Sequence, residues 1–186
     1  MKKILIAIVV LAAAGVGARL RYVSSRDSLA TQRDAVTESW NTVDAPLRDY
    51  ANLLPTLASQ VKVSPKLAAQ TQQTIDQARG VLNQLRPPQE KIQAYKRLQL
   101  ESARLLLAAD QDARLRADRK FLLLKEDLTS TDNRILVARR KYNEALERYN
   151  ASLSVFPHNV AAAIGGFARN DAYFPTGLES RPPTKE

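Results

Sequence analysis

The chain has 186 residues, no cysteine and a net charge of +9. Without cysteine, a disulfide framework and a thiolate metal site are both excluded. Glycine is scarce at 6 while Leu, Ala, Arg, Gln and Lys are abundant, which favours helix over strand. The basic residues are spread along the chain and interleaved with acids, so they read as a solvated helical surface rather than a nucleic-acid patch.

Residues 4–18 form an uncharged run rich in Ile, Val, Leu and Ala, with Lys2 and Lys3 before it and Arg19, Arg21 and Arg26 after it. Such a run spans about 22 Å as a helix, short of a bilayer core of roughly 30 Å. Leu20, Tyr22 and Val23 extend it if Arg19 and Arg21 snorkel to the headgroups, which puts Tyr22 at the interface. The competing reading is a cleavable secretory signal, with small residues at Val16, Gly17 and Ala18. Two arginines directly after such a cut are unusual, and no turn signal precedes the next apolar pattern. The preferred expectation is therefore an uncleaved transmembrane anchor over residues 1–23, with the body outside the cytoplasm.

The body begins with an apolar seam: Leu29, Val36, Trp40, Val43, Leu47, Tyr50, Leu54, Leu57 and Val61. It predicts one helix over about 25–62, bent rather than broken at Pro46 and Pro55, because the seam keeps its phase across both prolines. Val63-Ser64-Pro65 reads as a stop and restart, with Ser64 able to cap and Pro65 suited to the first helical position. Leu67, Thr71, Ile75, Ala78, Leu82 and Leu85 then share a face. Arg86-Pro87-Pro88 interrupts the pattern before Ile92, Tyr95, Ala103 and Leu106 resume it, as one kinked helix or two short ones. Residues 110–117 suit a connection.

The cleanest helix is expected over 118–153. Phe121, Leu124, Leu128, Ile135, Ala138, Tyr142, Ala145 and Tyr149 alternate by three and four residues, with Thr131 in the one gap. Phe156-Pro157 ends it. A short apolar helix follows over 160–164, closed by Gly165-Gly166, and Phe167, Tyr173 and Phe174 are apolar anchors on a tail that is mobile beyond 175. Long seams need partners to cover them. The expected fold is all-α: an N-terminal transmembrane helix, then an antiparallel bundle of long, partly kinked helices over 24–174, then a tail over 175–186.

Two stretches carry a family likeness. One holds Glu38-Ser39-Trp40, Leu47-Arg48-Asp49-Tyr50 and Leu53-Leu54-Pro55; the other holds Arg139, Tyr142-Asn143, Tyr149-Asn150, Phe156-Pro157, Gly166-Phe167 and Tyr173-Phe174. With the N-terminal run they make the chain resemble the LemA family of bacterial membrane-anchored helical proteins, less well between 64 and 112. The family usually has a second basic residue beside Arg48, an Asn where Thr56 stands and a Tyr-Pro pair where Asp112-Ala113 stands. The resemblance implies a membrane-tethered α-bundle, brings no assigned reaction, and makes Trp40, Arg48, Pro55, Arg139, Tyr142, Asn143, Tyr149, Asn150, Phe156 and Pro157 its structural motif.

Candidate chemistry is thin. His158 is the sole histidine, so a zinc site lacks ligands, and the residue reads as a turn or capping histidine. No serine sits in a nucleophile elbow. Glu144 and Arg148 are spaced i, i+4, as are Glu126 and Ser130, and surface pairing is the expectation for such carboxylates. Phosphate-binding glycine loops and Ca²⁺ loops are absent. Arg134, Arg139, Arg140, Lys141 and Arg148 form a basic run, but Tyr142 and Tyr149 lie in the seam rather than among exposed stacking residues. Asn143 and Asn150 project from one flank and are expected to be buried and bonded to the first helix, with the Ala51 carbonyl freed by Pro55 as an acceptor. Arg139 is expected to pair with Asp44 or Asp49.

These features predict a membrane-tethered scaffold or interaction protein of the bacterial envelope, without catalysis, cofactor, metal, nucleic acid or identified small-molecule substrate. Other envelope proteins are the expected partners, and homo-oligomers stay open. The alternatives are a hydrolase with an unrecognised carboxylate or serine site, and a bundle that binds anionic lipid.

Overall fold

The computed structural model describes residues 2–175, except for the side chains of Lys3, Ile4, Leu5, Ala7, Ile8 and Val9. All regular structure among the described residues is helical: α1 (Lys2–Gln60), α2 (Pro65–Asn83), α3 (Pro88–Ala109), α4 (Ala113–Ala117), α5 (Arg119–Ser152) and α6 (His158–Gly165). The fold is an all-α helical bundle. Its residues group into two compact units, one of Met1–Glu38 and Asn143–Asp171, the other of Ser39–Tyr142 and Ala172–Glu186. The expected mobility beyond 175 falls outside the described residues.

Helix α1 runs without interruption from the apolar N-terminal stretch into the first seam, and both Pro46 and Pro55 sit inside it. Each proline costs one i→i−4 hydrogen bond, at the carbonyls of Thr42 and Ala51. Burial of Val43, Leu47, Leu54 and Leu57, all fully buried, outweighs that cost at about 1.5–3 kcal/mol per side chain. Trp40 is half-buried. Among the described residues no helix is long and apolar enough to cross a membrane. The expected anchor depends on Ile4, Leu5, Ala7, Ile8 and Val9, whose side chains lie outside the described set.

The Arg86-Pro87-Pro88 interruption separates two helices. The Pro87 carbonyl accepts from the Glu90 and Lys91 N–H groups, and Pro88 starts α3, where its missing N–H is no loss. Ser64 occupies the N-cap of α2, but its hydroxyl makes no capping bond; its carbonyl takes Ala68 N–H instead. Two apolar faces also differ from expectation. On α2 the buried set is Thr71, Ile75, Ala78 and Leu82, and Leu85 is fully exposed because the helix has already ended at Asn83. On α3, Ala103 is exposed and Leu106 half-buried; the buried row runs through Ile92, Tyr95, Leu98, Ser102, Leu105 and Ala109. Leu98 sets that phase, and the jump from Tyr95 to Ala103 missed it.

The connection over 110–117 contains the short helix α4, whose first turn is held by the Asp112 carboxylate accepting from Arg114 N–H. Asp118 does the same for α5, accepting from Lys120 and Phe121 N–H. Every residue of the α5 seam is buried, Thr131 included, and Leu146 and Asn150 join it. The helix ends at Ser152, before the cis Phe156–Pro157 bond. Helix α6 starts at His158 and closes on Gly166, whose φ of 69° is the left-handed conformation a side chain would strain.

Candidate functional site

In the unit of Ser39–Tyr142 and Ala172–Glu186, aromatic rings form a connected cluster. Phe174 lies at its centre, 6.2 Å from Trp40, 5.9 Å from Tyr142 and 6.5 Å from Tyr95. Trp40 meets Tyr142 edge-on at 5.2 Å, and Tyr50 meets Tyr95 at 5.4 Å. The T-shaped pairs set the positive ring edge against the negative face. Tail residue Phe174 therefore acts as a core residue, as the apolar-anchor reading expected.

Polar groups around the cluster pair with one another. Lys91 Nζ donates to Asp44 Oδ1 at 2.6 Å, with its side chain only 6% exposed, and Arg48 takes the other carboxylate oxygen at 2.8 Å. Glu101 accepts from Thr71 Oγ1 at 3.1 Å and from Arg104 at 2.9 Å. Tyr95 Oη donates to Asp132, and Gln99 Nε2 donates back to Tyr95 Oη at 2.8 Å. Burial, then the bond to Asp132, pushes the Tyr95 phenol far above its ordinary value, against the nearby Arg139 charge. Tyr50 is raised chiefly by burial. Tyr142 is pushed up to about 12, first by burial and then by Tyr173, and its buried hydroxyl has no hydrogen-bond partner among the described residues.

Sequence reasoning put the wrong cations on these acids. Arg139 is half-buried and was expected on Asp44 or Asp49, but Asp44 holds Lys91 and Arg48, and Asp49 meets Arg134 at 3.3 Å. Lys91, Glu101 and Asp132 went unrecognised. The one usable signal was Thr71, a hydroxyl at a seam position that needed a polar partner.

An open groove of about 940 Å³ lies along the α5 surface of this unit, with Thr42 and Pro46 of α1 on its other side. Glu126 and Ser130, one helical turn apart, both line it, beside the basic Lys125, Arg134 and Lys141. A smaller polar hollow of about 400 Å³ surrounds Glu101 and Arg104. The Glu101 carboxylate faces the Thr71 hydroxyl and the Arg104 guanidinium, an arrangement that suits ion pairing better than general acid–base chemistry. Among the described residues no three His, Asp or Glu side chains cluster as metal ligands.

In the unit of Met1–Glu38 and Asn143–Asp171, Leu29, Ala161 and Ala162 form a small core, with Tyr22, Leu153 and Phe167 packed against it. Ser152 Oγ donates to Gln32 Oε1 at 2.7 Å. The Arg33 guanidinium lies 5.5 Å from the Phe167 ring centre. His158 is half-buried at the start of α6. Tyr149 Oη donates to the Ala168 carbonyl at 2.9 Å.

Asn150 is buried, as expected, and it bonds to the tail. Its Nδ2 donates to the Asn170 carbonyl at 2.6 Å and its Oδ1 accepts Asn170 N–H at 3.0 Å. The side-chain amide thus mimics a neighbouring strand and satisfies both backbone groups of Asn170. Asn143 is only half-buried. Asn150→Ala strips both bonds and is expected to cost about 1–3 kcal/mol and to speed hydrogen exchange at the Asn170 amide; unchanged exchange there would refute the clamp.

Fold and site together define an all-α bundle whose polar residues mostly tie helix to helix and helix to tail. The LemA family model matches residues 39–185, most of the chain, and the protein belongs to the LemA family. No curated protein matches the chain.

Proposed function

We propose that this LemA-family protein is a single-pass, membrane-tethered scaffold or interaction protein of the bacterial envelope, without catalytic activity of its own. The observation that carries the reading is the state of the first part of α1. Every residue from 10 to 21 is exposed, including Val10, Leu11, Val16 and Leu20. An apolar helical stretch covered by no protein needs another apolar medium, and the charges flanking it fit a bilayer on both sides. Tyr22 is the first half-buried residue after that run, and an aromatic at such a boundary supports an interfacial anchor.

The body then presents helical faces to partners in the envelope, on the periplasmic or extracellular side, with homo-oligomers among the assemblies it could form. The groove along α5 offers a mixed face, apolar at Val137 and Pro46 and charged at its rim, of the kind that partner helices use. The pairing of Asp44, Glu101 and Asp132 with neighbouring donors favours this reading over a hydrolase. The test is fractionation and protease protection of the full chain in cells. A chain that resists alkaline extraction from membranes, with a body cleaved only from the outer face, supports the proposal; release by alkaline carbonate overturns the tether.

A further inference from the structure

We propose that the elbow between α5 and α6 is a second membrane contact, seated in the headgroup layer of the bilayer that holds the N-terminal stretch. The inference rests on the tether reading above and adds a site to it. From Tyr149 to Ala168 the chain holds no Asp, Glu, Lys or Arg, although α5 before it is densely charged. Within that stretch Leu153 and Phe167 pack inward, but the other large aliphatic side chains and Phe156 point outward. Val155 is 57% exposed, Phe156 77% and Ile164 68%, while α6 buries only Ala161 and Ala162. A helix that buries Ala161 and Ala162 and shows Val160 and Ile164 has an apolar face toward something other than this chain.

Position identifies that medium as lipid. Ser152 pairs with Gln32, and the next residue, Leu153, packs with Leu29, so the end of α5 advances toward the N-terminus of α1. Tyr22 packs on the same cluster as α6, and it directly follows the uncovered apolar stretch of α1. The elbow therefore lies on the anchor side of its unit, level with the residues where α1 would leave the bilayer. Arg19, Arg21 and Arg26 are exposed at that level and complement anionic headgroups. An uncharged, aromatic-tipped loop beside basic residues is what an interfacial element requires, because a carboxylate there would have to be desolvated against negative lipid.

The absence of cysteine makes the test direct. Single-cysteine variants of the full chain, Phe156→Cys, Leu11→Cys and Leu107→Cys, carry a polarity-sensitive fluorophore in vesicles of phosphatidylcholine and phosphatidylglycerol. Nitroxides on lipid headgroups or deep on acyl chains serve as quenchers. The proposal expects the label at 11 to be lost to the deep quencher, the label at 156 to the shallow one, and the label at 107 to neither. A label at 11 quenched deeply with one at 156 as aqueous as that at 107 overturns the elbow contact and leaves the tether standing. Labels at 11 and 156 both aqueous overturn the tether and the elbow with it. A label at 156 in an apolar setting that no lipid quencher reaches points to a second copy or another protein on the elbow, and also overturns the proposal.

Discussion

Tyr142→Ala is expected to lower stability by about 3–5 kcal/mol, while Tyr142→Phe leaves it unchanged or raises it by up to about 1 kcal/mol. The ring of Tyr142 is fully buried and contacts Trp40 and Phe174, so truncation leaves a cavity bounded by aromatic faces that cannot collapse onto one another. Its hydroxyl does the opposite of helping: it is buried with no partner among the described residues, and a desolvated unpaired hydroxyl costs free energy that phenylalanine does not incur. Urea denaturation of the two variants checks both halves. A Phe variant that loses more than about 1.5 kcal/mol would show that the hydroxyl holds a hydrogen bond in solution.

The same residue predicts an alkaline limit. Its folded pKa is raised from the ordinary 10 to about 12, so below 10 its contribution to stability is fully present. As pH rises from 10 to about 12 the unfolded chain gives up the proton and the folded chain keeps it, and that contribution is lost. Tyr142→Phe should flatten the fall of stability across that window. Tyr50 and Tyr95, raised in the same direction, keep part of the slope.

Asp44→Ala should cost about 3–5 kcal/mol, because it leaves the Lys91 ammonium buried without its partner. Arg48→Ala, on the exposed side of the same carboxylate, should cost no more than about 1 kcal/mol, since its side chain is 46% exposed and water competes for it. The contrast separates two cations that sequence alone treats alike. Replacing both buried partners, Asp44→Leu with Lys91→Met, should recover most of the loss, because an apolar pair needs no desolvation of charge. A double variant as unstable as Asp44→Ala would mean that the carboxylate supports the fold by some route other than Lys91.

Legibility in the sequence tracked the range of the forces involved. The α5 seam from Phe121 to Tyr149 was readable because a helix repeats every 3.6 residues and a row of apolar residues on one side must be covered. The stop at Ser64-Pro65 was readable because proline acts on its own backbone and its immediate neighbours, whereas at Pro87-Pro88 the same local signal left a kink and a break equally open. Errors began where a helix end displaced a residue from its face, as with Leu85, or where one skipped residue shifted the phase, as with Leu98 and Ala103.

The amino-acid order by itself determined the all-α class, the continuity of α1 through two prolines, the buried seams and the family likeness, since propensity, periodicity and proline geometry are local properties of the chain. Tertiary structure alone decided that Lys91 rather than Arg139 neutralises Asp44, that Asn150 clamps the backbone of Asn170, and that α6 hides Ala161 and Ala162 but shows Ile164, with Phe156 exposed just before it. A hydrogen bond or an ion pair acts over a few ångströms, and its partners are chosen by how helices distant in sequence come to rest on each other. No spacing along the chain encodes that choice.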